Sequence, residues 1–162
     1  MKYLQLLLSV FIVCILLCSC TFLPERTAFG FDISDFNVVE ETDSHGGFLG
    51  DGEYHLILDC SKNTEEARAI VQDWKSLPFS ETLEKYLYGE EIDGVYCTSG
   101  FADEYHWPVI INGVYKFVDR HSDATDRSNE IQWHSEERYS VNFSVAIYDF
   151  DTDTLYYYSK DT

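Results

Sequence analysis

The sequence predicts an α+β domain: a mostly antiparallel sheet of about five strands carrying one main amphipathic helix. Two observations point there. Tyr54, Leu56, Leu58 and Cys60 recur at period two in "EYHLILDC", as do Phe143, Val145 and Ile147 in "SVNFSVAIYDF". Between them, Ala67, Ile70, Val71 and Trp74 of "NTEEARAIVQDWK" fall at i, i+3, i+4 and i+7, one apolar helical stripe. Aromatic residues make up 16% of the chain, enough to build a core and to exclude a disordered tail.

Taken in order, "FDISDFNVVEE" (31–41) alternates imperfectly and suggests a first strand. "ETDSHGGFLGDGEY" (41–54) follows, with four glycines, and reads as the extended connection of a hairpin into the 53–60 strand. Asn63 with Glu66 forms the capping signature of the 63–75 helix, and Glu65 and Glu66 suit its positive end. Ser80 starts a shorter helical turn through "ETLEKYLY", which Gly89 stops. From Glu90 to Trp107 the pattern dissolves into a loop. Asn112-Gly113 has the composition of a tight hairpin turn, but a continuous strand from Val114 to Val118 fits better. The runs 140–150 and 154–160, joined by "DTD", form a C-terminal hairpin. Alternation sets Tyr157 opposite to Tyr156 and Tyr158, so at least one of the three faces the core.

The N-terminus supplies an address. One positive charge at Lys2 precedes an apolar run from Leu4 to Leu17, signal-peptide length rather than a full bilayer span. Leu17-Cys18-Ser19-Cys20 then resembles the lipobox of bacterial lipoproteins, which implies cleavage after Ser19 and a diacylglyceryl group on Cys20. The chain divides accordingly into a leader (1–19), a lipidated tether (20–30) and one extracytoplasmic domain (31–162). The alternative is an uncleaved anchor from Tyr3 to Leu23. No cofactor motif occurs.

Removing Lys2 with the leader leaves 10 of the 11 basic residues against 29 acidic ones, a formal charge of −19. Such a surface repels nucleic acid and anionic headgroups and favours cations or a basic protein partner. Cys60 and Cys97 remain after processing. A bridge between them would close a loop of about 38 residues worth roughly 3–4 kcal/mol; a buried thiol at Cys60 is the other reading.

Polar motifs are weak as chemistry. The glycine-rich stretch lacks the Gly-Lys-Ser/Thr ending of a phosphate loop and runs into a strand. "DFDTDT" (149–154) has Thr154 where a calcium loop needs glycine. No GxSxG elbow occurs, and Cys97 with His106 is a thin basis for a thiol–imidazole pair. Asp43, His45, His121 and Asp123 carry donor types suited to zinc or manganese, but no diagnostic spacing links them, so no metal is assigned. The plainer reading makes Asp43 and Asp51 turn-forming residues and pairs Arg120 with a carboxylate across the sheet.

As a set, "ETDSHGGFLGDGEY", "DWKSLPFSETL", "YKFVDRHSDATDR" and "NFSVAIYDFDTDTLYYYSKDT" resemble a group of small hypothetical lipoproteins of Gram-positive bacteria. The resemblance implies a bacterial origin and marks the 41–54 loop and the 119–127 segment; it implies no activity. The expected function is a lipid-anchored binding module at the cell surface. Asp43, His45, Asp51, Arg120 and His121 are its contact residues, for a basic protein or a small ligand. Alternatives are a metal-assisted or carboxylate-dependent enzyme using His45 or His121 as base, and an inhibitor or immunity-type lipoprotein.

Overall fold

The structure, a computed structural model, describes residues 27–46, 50–92, 95–98, 100–121, 124–130 and 140–162. The expected cleavage and lipidation at Cys20 and the metal candidate Asp123 lie outside the described residues, as does the side chain of Cys97. No helix among the described residues is long and apolar enough to cross a membrane.

In chain order the elements are β1 (Thr27–Ala28), β2 (Phe31–Asp32), a 3-10 turn (Ile33–Asp35), β3 (Asn37–Asp43), β4 (Gly52–Asp59), α1 (Thr64–Val71), β5 (Lys75–Ser76), α2 (Glu81–Tyr88), β6 (Glu90–Ile92), β7 (Val95–Thr98), α3 (Phe101–Glu104), β8 (Gly113–Asp119), β9 (Phe143–Asp149) and β10 (Thr154–Asp161). The main sheet is antiparallel, in the order β3-β4-β10-β9-β8-β5. It has six strands, not five. The extra strand is the two-residue β5, too short to carry a period. The segment read as a loop from Glu90 to Trp107 contains the β6–β7 pair and the single turn α3.

Both faces of this sheet are covered, and each has its own core. Tyr54, Leu56, Leu58, Tyr148, Leu155 and Tyr157 pack on one face beneath Ala67, Val71 and Trp74, joined by Phe31. On the other, Phe143, Val145, Ile147, Tyr156 and Tyr158 pack beneath Leu83 and Leu87 of α2, Phe101 of α3, and Trp107. Double coverage explains why all seven residues of β9 are buried, and why Tyr156, Tyr157 and Tyr158 are all core although they alternate in facing. Burying one such side chain contributes about 1.5–3 kcal/mol.

Capping follows the sequence at α2 and departs from it at α1. Ser80 Oγ accepts the N–H of Leu83, and Gly89 closes the helix at φ 83°, a conformation that costs other residues a steric clash. Asn63 occupies the N-cap of α1 but makes no capping bond. Its side-chain amide donates instead to the carbonyl of Asp35 at 2.6 Å, tying the helix to the 3-10 turn. Asn112-Gly113 does not turn the chain: Gly113 opens the continuous strand β8, while β9 and β10 form the expected hairpin.

Candidate functional site

Alternating strand directions bring the ends of β3, β8 and β10 and the starts of β4 and β9 to one end of the sheet. The loop after β3 is closed at its base by Ser44, whose N–H donates to the Glu53 carbonyl (2.9 Å) and whose hydroxyl accepts from the Glu53 N–H (2.8 Å). Asp43 Oδ1 accepts the backbone N–H of His45 at 2.9 Å, the Asx-type turn expected of it, and lies 2.7 Å from His45 Nδ1. A Cβ on Gly52 would stand 2.6 Å from the backbone N and Cα of His45, so only glycine lets the loop lie this close to β4.

His45 Nε2 reaches Asp161 Oδ2 at 3.2 Å. The same oxygen accepts from Arg120 Nη2 at 3.0 Å. That guanidinium nitrogen also donates to the carbonyls of Phe143 and Lys160, both at 3.2 Å, while the backbone N–H of Arg120 donates to Asn142 at 2.7 Å. One carboxylate at the end of β10 therefore joins the 41–54 loop to the segment that follows β8. Arg120 does pair with a carboxylate across the sheet, and in doing so it clamps the ends of β8, β9 and β10.

Of the residues singled out in the sequence, Asp43, His45 and Arg120 come together. Asp51 is exposed on the loop, outside this chain of contacts. His121 sits on an Asx turn of its own, its backbone N–H donating to Asp119 Oδ1 at 3.0 Å. Among the described residues no group of three or more His, Cys, Asp or Glu side chains is arranged to hold a metal ion. The donors at this end of the sheet are turned on one another and on Arg120.

The other face of the same strand ends carries a second charged pair. Glu53 and Lys160 stand opposite each other in the ladder, Oε1 to Nζ 2.8 Å, and the Tyr105 hydroxyl donates to Glu53 Oε2 at 3.1 Å. Burial alone would raise the Glu53 carboxyl, but Lys160 and the tyrosine hydroxyls outweigh it and hold it below the usual range. Asp43 behaves alike: burial works upward, and the bonds from the His45 backbone and ring bring it below its ordinary value. Burial and the adjacent Glu53 charge push Tyr105 up to about 12.

Beneath Tyr105 lies a residue that the sequence reading passed over. His55 is fully buried, stacked on the Tyr105 ring at 4.2 Å and 18°, and its Nε2 accepts the indole N–H of Trp107 at 2.7 Å. Because Nε2 accepts, the neutral ring carries its proton on Nδ1. Among the described residues Nδ1 has no hydrogen-bond partner, and Glu40 Oε1 stands off at 3.7 Å. Burial pushes this imidazole below its ordinary value, against the pull of Glu40. In the sequence, alternation marked Tyr54 and Leu56 as inward and left His55 between them as an outward residue. Asp161 was also passed over, because nothing local to the chain's last residues points at His45 or Arg120.

The donors and acceptors of this arrangement are engaged with one another. Neither ring nitrogen of His45 is left facing outward, the imidazole of His55 is sealed in, and the Ser44 hydroxyl is spent on backbone. Cys60 is a free, fully buried thiol whose proton is held up to about 12 by burial, so it is not a thiolate nucleophile. Comparison of the chain with protein-family models, curated proteins and solved structures found no match.

Proposed function

We propose that this protein is a lipid-anchored, extracytoplasmic binding domain of a bacterial cell surface, and that its partner is cationic. The observation that carries the second part is how the basic side chains are used. Arg68, Lys75, Lys85, Arg120 and Lys160 each sit within 3.0 Å of a carboxylate of the chain itself. Lys116 lies over the Phe29 ring. With 29 acidic residues against 11 basic ones, the outward field therefore comes from the surplus carboxylates. The first part rests on the Leu17–Cys20 sequence and on the resemblance to Gram-positive lipoproteins.

The joined loops at the sheet end form the contact face, with Asp43 and Asp51 exposed on it. An inhibitor or immunity-type lipoprotein is the form this takes when the partner is a basic effector protein. The enzyme alternative is the weaker one, since a general base needs a ring nitrogen directed at substrate and both of those on His45 are engaged.

Crosslinking on intact cells tests the reading. A captured partner should carry a basic surface, and its capture should weaken as salt is raised. Capture only of neutral or acidic proteins, with no salt dependence, would remove the cationic partner. For the anchor, Cys20→Ser should yield an unprocessed precursor or a protein released from membranes. A cleaved Cys20→Ser protein that still partitions with detergent would overturn the lipidation.

A further inference from the structure

The sheet ends unequally. On one side it is closed by β5, two residues long; on the other it stops at β3, seven residues long and exposed at every position. Among the described residues no strand pairs with the outer side of β3. Such an edge presents unpaired N–H and C=O groups, and soluble proteins blunt them, commonly with lysine. Here the blunting charge is acidic. A bulge between Val38 and Glu40 interrupts the strand, and the regular run beyond it reads Glu40, Glu41, Thr42, Asp43. Glu41 and Asp43 face the side that Leu56 and Tyr54 face, and Glu40 faces the side of Ile57, so both faces of the edge are negative. Tyr54 donates to Glu41 Oε1 at 2.7 Å, which holds that carboxylate in place.

We propose that the outer edge of β3 takes an extended basic segment of the partner as an added strand, with lysine or arginine side chains lying against Glu40, Glu41 and Asp43. This rests on the cationic-partner reading and specifies where and how that partner binds. Backbone pairing supplies the affinity and alternate side chains the selection. A second copy of this chain is excluded as the occupant, because edge-to-edge pairing would set acid against acid, which destabilises a cross-strand pair.

The full-length protein in detergent micelles is titrated with a synthetic seven-residue peptide of lysine and threonine, matched to the length of β3, with lysines on both faces. A further peptide carries the same sequence and charge but is N-methylated at every amide, so that neither of its edges can donate to a strand. The proposal expects the unmodified peptide to bind and to protect the amides of 40–43 from hydrogen exchange. The N-methylated peptide should not bind measurably at the same concentrations. Glu40→Lys should weaken the parent by about three- to tenfold, the reversal of one exposed charge pair. Equal binding of the N-methylated and unmodified peptides would overturn the added strand and leave the cationic-partner reading standing. Failure of every lysine peptide to bind, while cell crosslinking captures a basic protein, would likewise overturn only the strand. Failure of both experiments would remove the two together. Self-association of the protein through β3 in sedimentation would also overturn the proposal.

Discussion

His55 makes the acid side of this protein's stability testable. The folded ring is neutral, sealed from water, and spends Nε2 on the indole of Trp107, so protonation would place two donors face to face. Its neighbours are Glu40 on β3, Tyr105 and Trp107 from the α3 region, and Tyr158 opposite it on β10. Burial lowers the folded-state value below the unfolded one, so between the two the unfolded chain binds a proton that the folded chain refuses. Stability is therefore full above the unfolded value of about 6.5 and falls as pH drops through it. Going from about pH 7.5 to about pH 5.5, the one proton that the unfolded chain takes up lowers stability by up to about 1.4 kcal/mol. Urea unfolding of wild type and His55→Gln at both pH values measures this, since the difference in slope isolates His55 from the other histidines. His55→Ala should cost more, about 3–5 kcal/mol, because a buried cavity is added to an indole N–H without an acceptor. Equal pH slopes for wild type and His55→Gln would refute the account.

Gly52→Ala should destabilise by about 1–3 kcal/mol through its clash with the His45 backbone, whereas Gly46→Ala, whose Cβ meets nothing closer than 3.7 Å among the described residues, should change urea stability by less than about 0.5 kcal/mol; equal effects would mean the loop does not rest on β4. Asp161→Ala should cost only about 1 kcal/mol, since the site is partly solvated, yet should speed hydrogen exchange at both 44–46 and 120–121; a change on one side alone would show that the carboxylate does not couple the two loops. The carboxyls of Asp43 and Glu53, held below their unfolded values, contribute stability that is present above the ordinary carboxylate range and lost as pH falls through their folded values, so Glu53→Gln should flatten the acid limb of unfolding curves below about pH 4.5. Cys60 should resist thiol reagents in the native protein near pH 8 and label on unfolding, as mapped by mass spectrometry; rapid native labelling at Cys60 would contradict its burial.

What was legible in the sequence was what the chain encodes locally. The α1 stripe, the Ser80 cap, the Gly89 stop and the β9–β10 hairpin each depend on residues within a few positions of one another, so period and cap chemistry reveal them. Asp43 and Arg120 could be singled out for the same reason, as polar residues closing strands. Period failed where the tertiary structure covered both faces of the sheet. Alternation then no longer sorts inside from outside, and His55 is sealed in by Tyr105 and Trp107, fifty residues further on. Asn63 carried a capping signature, but the fold brings the Asp35 carbonyl to its side-chain amide, which donates there, and its oxygen caps nothing. The meeting of His45, Asp161 and Arg120 depends on register across four strand pairings, and register is a property of the assembled ladder, where the burial of whole faces outweighs any local preference. Sequence alone determined the charge and the main elements; only the tertiary structure decided which carboxylate joins the loops and which sheet edge is left open, because both are set by contacts between residues far apart in the chain.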